Sequence, residues 1–241
     1  MIDDKLFFDV ETLPTIDVDL IADIAAKISP PATMSKPDTI AKWESDNRPA
    51  AISEAVRKTA LDGGMGRIAS IAWSVGGDTE IYGGHSAEKN GWTIDRERRL
   101  LKHFFAEAND FADELCVDPV LVGHNILGFD IRWLWKRAIV LGVAVPDWWP
   151  ISAKPWSPEV FDTMIMWEGV GGRISQDRLG RILGVGGKGD IDGSQVAGIW
   201  DAGRYDDVFD YNCDDVVKVR KIWARITQFD GAIEPKMAAA A

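Results

Sequence analysis

"LFFDVETLP", residues 6–14, is the stretch on which the fold turns. An apolar run suited to a buried strand ends on two acids, Asp9 and Glu11, followed at once by Thr12, Leu13 and a proline. Side chains at i and i+2 of a strand share one face, so the two carboxylates leave the sheet side by side. Like charges at the end of a buried strand repel each other and lose hydration. A divalent cation between them removes that cost, since hard cations take convergent carboxylate oxygens as ligands. A D-x-E triplet also occurs at ordinary solvated turns, so the pair acquires meaning only with partners from elsewhere in the chain.

Outward from this strand (5–10), residues 15–63 have helical periodicity broken by Pro30, Pro31, Pro37 and Pro49, and close on the glycine-rich "DGGMG". They read as a helical insertion after the first strand. "RIASIAWSV" (67–75) and "TEIYGG" (79–84), joined across "GGD", read as a hairpin. Apolar residues at 100, 101, 104, 105, 108, 111 and 115 make a helical stripe, with Thr93 or Asp95 as its N-cap. A short buried strand follows at 119–124, then a helix to Gly142, a Pro- and Trp-rich loop at 145–158, and a strand in 159–167 ending near Asp162. "QDRLGRILGV" reads as a short helix, "GGKGDIDG" as a loop, and 204–227 as a long last helix. This order predicts a mixed α/β sheet with helices on its faces. It predicts one domain over 1–230, with 231–241 as a C-terminal tail.

The 241 residues are 46% hydrophobic and 27% charged, with no apolar run of membrane-spanning length. The acidic start "MIDDKLFF" does not resemble a signal peptide, and the two cysteines, Cys116 and Cys213, have no metal-knuckle spacing. A cytoplasmic protein is expected. A net charge of −11 argues against holding nucleic acid by bulk electrostatics. It leaves room for a nucleic-acid enzyme, because an acidic cluster loaded with metal presents positive charge locally. Eleven tryptophans exceed ordinary usage; most should pack in the core, and a few at a cleft could stack on bases.

Two further stretches supply acids. "GHNILGFD" (123–130) puts Asn125 at a strand end and Asp130 in the first turn of the next helix. If that strand lies parallel to the first, Asp130 reaches the same sheet edge as Asp9 and Glu11. "YNCDDV" (211–216) sets Tyr211 and Asp215 four apart on one helical face, while Asp210 and Asp214 point toward solvent.

"FDVET", "GHNILGFD" and "YNCDD", in this order, resemble the three motifs of the DnaQ-like 3′–5′ exonucleases of the DEDD superfamily. Tyr211, rather than a histidine at position 210, places the resemblance in the tyrosine subclass. The chain is most similar to stand-alone, possibly phage-type relatives of the exonuclease domain of family B DNA polymerases. The insertion after the first motif is longer than in a minimal proofreading domain. The resemblance implies a ribonuclease-H-like fold of about five strands and two Mg²⁺ or Mn²⁺ ions bound by Asp9, Glu11, Asp130 and Asp215. Oxygen-only ligands suit those ions. It implies that Asp9 bridges both ions, that Glu11 and Asp215 complete the first shell, and that Asp130 serves the second. Tyr211 orients the attacking water, since a phenol of ordinary pKa near 10 is a poor base at neutral pH.

The resemblance further implies that Thr12, Leu13, Asn125 and Phe129 seat the terminal nucleotides. Lys188, in its glycine-rich loop, is a candidate phosphate contact, and Trp43, Arg48, Arg57 and Lys58 of the insertion are candidate cleft-wall contacts. The expected activity is hydrolysis of single-stranded or frayed DNA from its 3′ end to nucleoside 5′-monophosphates. An RNA 3′ exonuclease is the nearest alternative; a silent nucleic-acid-binding or polymerase-accessory module is another. Any proofreading would serve a DNA polymerase or other replication protein in trans.

Overall fold

Strand β1 (Lys5–Leu13) opens on a continuous buried run, Leu6–Phe8, as a strand covered on both faces does. Leu6, Phe8 and Val10 enter one hydrophobic cluster, and Phe7 enters another on the opposite face. Asp9 and Glu11 continue the Phe7 face by parity. The strand runs three residues beyond the expected 5–10, because Val10 through Leu13 stay paired with β2 across a register shift between Glu11 and Thr12. The computed structural model describes residues 2–89, 91–186 and 193–228.

The inserted segment folds as α1 (Val18–Lys27), α2 (Pro37–Asp46), α3 (Arg48–Arg57) and a 3-10 turn at Lys58–Leu61. Asp17 caps α1 by accepting from the Asp19 and Leu20 N–H groups, and prolines open α2 and α3, where a missing N–H costs nothing. None of the three helices buries a residue. The segment is held instead through its last turn. The Trp133 indole donates to the Ala60 carbonyl (2.9 Å), Lys136 Nζ to Asp62 (3.0 Å), and the Thr15 N–H to Thr59 Oγ1 (2.8 Å). Gly63 makes this docking possible, since a Cβ there would lie 2.0 Å from the Trp133 carbonyl oxygen.

Strands β2 (Arg67–Val75) and β3 (Tyr82–His85) form the expected hairpin, its second strand starting at Tyr82 rather than at Thr79, followed by a small ribbon of β4 (Ala87–Glu88) and β5 (Gly91–Trp92). Helix α4 (Ile94–Leu115) starts at Thr93, whose hydroxyl accepts from the Arg96 N–H. Then come β6 (Val120–Gly123), α5 (Asp130–Leu141), β7 (Val160–Asp162), α6 (Thr163–Glu168), α7 (Gln176–Leu183), a 3-10 turn at Gly193–Gln195, α8 (Val196–Asp201) and α9 (Tyr205–Thr227). The strand expected within 159–167 stops at Asp162, whose carboxylate caps α6.

The sheet order is β3-β2-β1-β6-β7, with β1 antiparallel to β2 and parallel to β6, and β6 parallel to β7. This five-stranded mixed sheet flanked by helices is the ribonuclease-H-like arrangement. Helices α4 and α5 cover one face, and α9 covers the other through Val216, Val219 and Trp223. A buried bidentate pair, Glu97–Arg137 (2.7 and 2.8 Å), ties α4 to α5, and Glu97 also accepts the Ile68 N–H. Five of the tryptophans (Trp73, Trp133, Trp149, Trp200 and Trp223) lie in the core. No described helix is long and apolar enough to cross a membrane.

Candidate active site

The end of β1 and the middle of α9 bring three acids together. Carboxylate oxygens of Asp9, Glu11 and Asp215 lie within 4.8 Å of one another. Asp9 and Glu11 share the strand face that α9 covers, and Asp215 sits on the buried side of that helix, while Asp210 and Asp214 are exposed. Because β6 is parallel to β1, the loop leaving β6 emerges at the same sheet edge and delivers Asp130, 3% exposed, to the start of α5. Asp130 is outside the close trio, yet among the neighbouring charges it weighs most on Asp9.

The electrostatics follow from that crowding. Burial, then the charges of Asp130, Glu11 and Asp215, pushes the Asp9 carboxyl well above its usual range, with Lys218 offsetting part of the effect. Burial followed by Asp215 and Asp130 does the same to Glu11. Burial also raises Asp215, against hydrogen bonds from Lys218 and Tyr211, and lifts Asp130 to about 7 despite backbone hydrogen bonds that include one from Val10. Left alone, the cluster binds protons that a metal ion would replace.

Neighbouring side chains occupy one oxygen of each of two acids. Asn212 Nδ2 donates to Asp9 Oδ2 (2.9 Å), and Lys218 Nζ donates to Asp215 Oδ1 (2.7 Å) and Asp177 Oδ1 (2.9 Å). Gln176 of α7 donates to the Asp215 backbone carbonyl (2.8 Å), fixing α7 against α9. Tyr211 stands one turn before Asp215, its hydroxyl interacting with that carboxylate and its ring 5.9 Å from Lys218 Nζ. Burial, followed by the charges of Asp215 and Glu11, holds the phenol above its ordinary pKa, so it keeps its proton at neutral pH. Tyr211 and Asp215 line a cleft of about 310 Å³ with Ser175, Gln176, Asp177 and Arg181.

The loop carrying Asn125 is organised by a residue the motifs did not single out as functional. Asp162, at the end of β7 and 3% exposed, accepts from the Asn125 N–H (2.9 Å) and the Leu127 N–H (3.1 Å). It also accepts from the first N–H groups of α6, Met164 (3.0 Å) and Ile165 (3.3 Å). Asn125 is held at φ 64°, in the left-handed region, and a Cβ at Gly128 would come within 2.5 Å of Asn125 Oδ1, so any larger residue there would push the Asn125 side chain aside. His124 is wedged between Thr163 Oγ1 (2.9 Å) and the Ile174 carbonyl (2.8 Å), and desolvation lowers its pKa.

The remaining expected contacts divide. Thr12 lines a groove with Glu11, Pro14, Arg57, Lys58, Leu61 and Ala197. Phe129 stacks at 6.3 Å on Trp133 and borders a smaller cleft beside Leu61 and Arg132. Leu13 does not reach the groove with its side chain: it is 1% exposed and packs under Val196 and Trp200 of α8. Arg48 is turned inward, donating to the carbonyls of Ile28 (3.2 Å) and Ala25 (2.8 Å), where it satisfies the end of α1. Trp43 is half-buried on α2. Lys188 lies outside the described residues.

Sequence reasoning passed over Lys218, Asn212 and Asp177. The Asp215–Lys218 pair was visible as an i,i+3 spacing, but such pairs are common on solvated helix faces. The donor set is all oxygen, buried or half-buried, mutually repelling and half committed to neutral or cationic hydrogen-bond donors. That chemistry fits a hard divalent cation such as Mg²⁺ or Mn²⁺ and not a thiolate- or imidazole-seeking metal.

A family model described as a predicted 3′–5′ exonuclease related to the exonuclease domain of PolB matches residues 65–240. The match begins after the inserted segment, so it contains Asp130, Tyr211 and Asp215 while Asp9 and Glu11 precede it. No curated protein matches the chain.

Proposed function

Because the chain belongs to this family of predicted 3′–5′ exonucleases related to the PolB exonuclease domain, we propose that it removes nucleotides from the 3′ end of single-stranded or frayed DNA. The products are nucleoside 5′-monophosphates. The observation that carries this proposal is the convergence of Asp9, Glu11 and Asp215 within 4.8 Å, beside a Tyr211 that stays protonated. In this proposal Asp9, Glu11 and Asp215 would hold one Mg²⁺ or Mn²⁺, and Asp9 and Asp130 would hold a second. Bound there, divalent ions supply a water of lowered pKa and charge stabilisation for both the attacking and the leaving oxygen of the phosphodiester.

The chain's own groups do the rest. Tyr211 points a hydroxyl at the position of Asp215 and orients water by hydrogen bonding; with its pKa raised it is not the base. Lys218 pins one oxygen of Asp215, which also accepts from Tyr211, and Asn212 pins one oxygen of Asp9, so both carboxylates are held in fixed orientations. Asp162 holds the Asn125 backbone, and Asn125, Phe129 and Thr12 seat the last nucleotides against the sheet edge. The water oxygen forms a bond to phosphorus, the bond from phosphorus to the 3′ oxygen of the shortened strand breaks, and that oxygen takes up a proton.

A protein of net charge −11 holds few phosphates by charge alone, so the clefts must do the work, and narrow clefts admit one strand. The test is a side-by-side digestion of 5′-labelled single-stranded DNA, blunt duplex, mismatched duplex and RNA in Mg²⁺ or Mn²⁺. Stepwise shortening from the 3′ end, fastest on single-stranded and mismatched DNA and abolished by excess chelator, is expected. Full activity in chelator would refute the metal site. Faster RNA cleavage would move the substrate to RNA.

A further inference from the structure

The groove beside the acid cluster is built by the inserted segment. Its floor is Glu11, Thr12 and Pro14; one wall is Arg57, Lys58, Ala60 and Leu61, and the other is Ser194 and Ala197. It measures about 350 Å³ and meets the Tyr211–Asp215 cleft at Gly193, which lines both. A strand lying across the acids therefore has a cavity on either side of them. At the small end of ligand-sized cavities, roughly 300–1,000 Å³, this one has room for a nucleotide and not for a paired duplex.

Two properties set its chemistry. Arg57 and Lys58 are 70% and 67% exposed at the side chain, and both lean on one carboxylate, Glu54, so this wall carries a net positive charge above the Glu11 carboxylate on the floor. Beside them Leu61 presents an apolar side chain that is 66% exposed, opposite Ala197. The wall is rigid despite its exposure, because the turn carrying it is fixed to the domain through Ala60–Trp133, Asp62–Lys136 and Thr59–Thr15. Cations for phosphate and apolar walls for a base or sugar, on a fixed frame, are the features of a single-strand subsite.

We propose that this groove is a binding subsite for the nucleotide next to the one being removed, with Arg57 and Lys58 taking phosphate oxygens and Leu61 packing against its base or sugar. The proposal rests on the exonuclease reading of the acid cluster. It assigns the inserted segment a part in substrate selection: the chain grips a strand by two nucleotides, one over the acids and one in the groove. Glu54 competes with phosphate for both cations, so removing it should tighten the grip.

Binding of a 5′-fluorescein-labelled oligo(dT) is followed by anisotropy in Ca²⁺ over a series of salt concentrations, for wild type, Arg57→Ala/Lys58→Ala, Glu54→Gln and a control, Arg99→Ala/Lys102→Ala, on α4 across the sheet. Each phosphate contact on a single strand contributes about 0.7 to the slope of log affinity against log salt, so the groove variant should lose about 1.4. The charge-matched control should keep the wild-type slope, and Glu54→Gln should bind more tightly than wild type. Equal slopes for the two double variants, or no measurable binding by wild type, would overturn the proposal. Hydrolysis of the same oligonucleotide in Mg²⁺ is measured in parallel. Hydrolysis with unchanged slopes faults the groove alone, whereas groove-dependent binding without hydrolysis faults the acid cluster and leaves the groove standing.

Discussion

Replacing Asp162 by asparagine should destabilise the protein and slow it, although residue 162 is separated from the acid cluster by the β6–α5 loop. Its Oδ1 accepts three backbone N–H groups, those of Asn125, Met164 and Ile165, and its Oδ2 accepts a fourth from Leu127. An asparagine oxygen can keep the first three, but the amide nitrogen then faces the Leu127 N–H, donor against donor. One charge-assisted bond worth about 1.5–3 kcal/mol is lost outright. The other three become neutral bonds of roughly half the strength. These losses sum to about 4–7 kcal/mol; burying a neutral amide in place of a charge returns part of that, so the expected net is about 3 kcal/mol, a large share of the ~5–15 kcal/mol that holds a domain. The loss falls on Asn125, whose left-handed backbone at φ 64° depends on being held. A displacement of about 1 Å in a substrate-positioning loop can cost about a hundredfold in rate. Urea unfolding followed by tryptophan fluorescence gives the stability, and kcat/KM on single-stranded DNA gives the rate. A stability loss under about 1 kcal/mol together with unchanged kcat/KM would refute the role assigned to this carboxylate.

Lys218→Met keeps the buried stem but frees Asp215 and Asp177 of their shared cation, at a cost of about 2–3 kcal/mol in chelator. Mg²⁺ should restore more of that stability than it adds to wild type, and equal Mg²⁺-induced shifts in Tm would count against the clamp. The carboxyl of Asp130 has its pKa raised by burial to about 7. Its proton is thus held more tightly in the folded state than in the unfolded chain, and stability is lost as pH climbs from about 4 to that value. Asparagine cannot ionise, so in chelator Asp130→Asn should gain on wild type by about 2–4 kcal/mol between pH 5 and pH 8. Calorimetric melts at the two pH values check the sign. Asp9→Ala and Asp215→Ala should each lower turnover on single-stranded DNA by more than about a hundredfold, or ~2.7 kcal/mol, while circular dichroism stays native. Retention of a tenth of the rate would remove that residue from the ligand set.

The parts of the site that could be read in the sequence are those written in local periods. Two acids on one strand face, and a phenol and an acid one helical turn apart, keep their mutual geometry wherever the elements go. What brings Asp130 to the β1 acids, a β6 parallel to β1, was a conditional statement that the sheet order meets. Other features depend on which distant backbone arrives nearby. Asp162 is one acid at the end of a three-residue strand, and nothing local says that it will meet the N–H groups of residues 125 and 127. Arg48 resembles other insertion cations until the end of α1 lands beside it. Leu13 shares the strand face of Asp9 and Glu11, yet α8 covers it. That six-residue helix holds only Val196 and Trp200 as buried anchors, too short a pattern to announce itself.

The hydrogen bond from Asn212 to Asp9 joins residues 203 positions apart. Asp9 and Glu11 leave the ribosome before their counterpart Asp215, which follows only when nearly all of the described fold has been made. Until α9 docks across β1 and β2, the two early acids are a solvated pair without the third carboxylate, the tyrosine or the lysine. A partly synthesised chain therefore lacks the assembled cluster, and its acids carry ordinary exposed charge. A hydrolase acting on DNA or RNA would be synthesised in the presence of its own substrates, and this connectivity withholds competence until α9 has been made and docked.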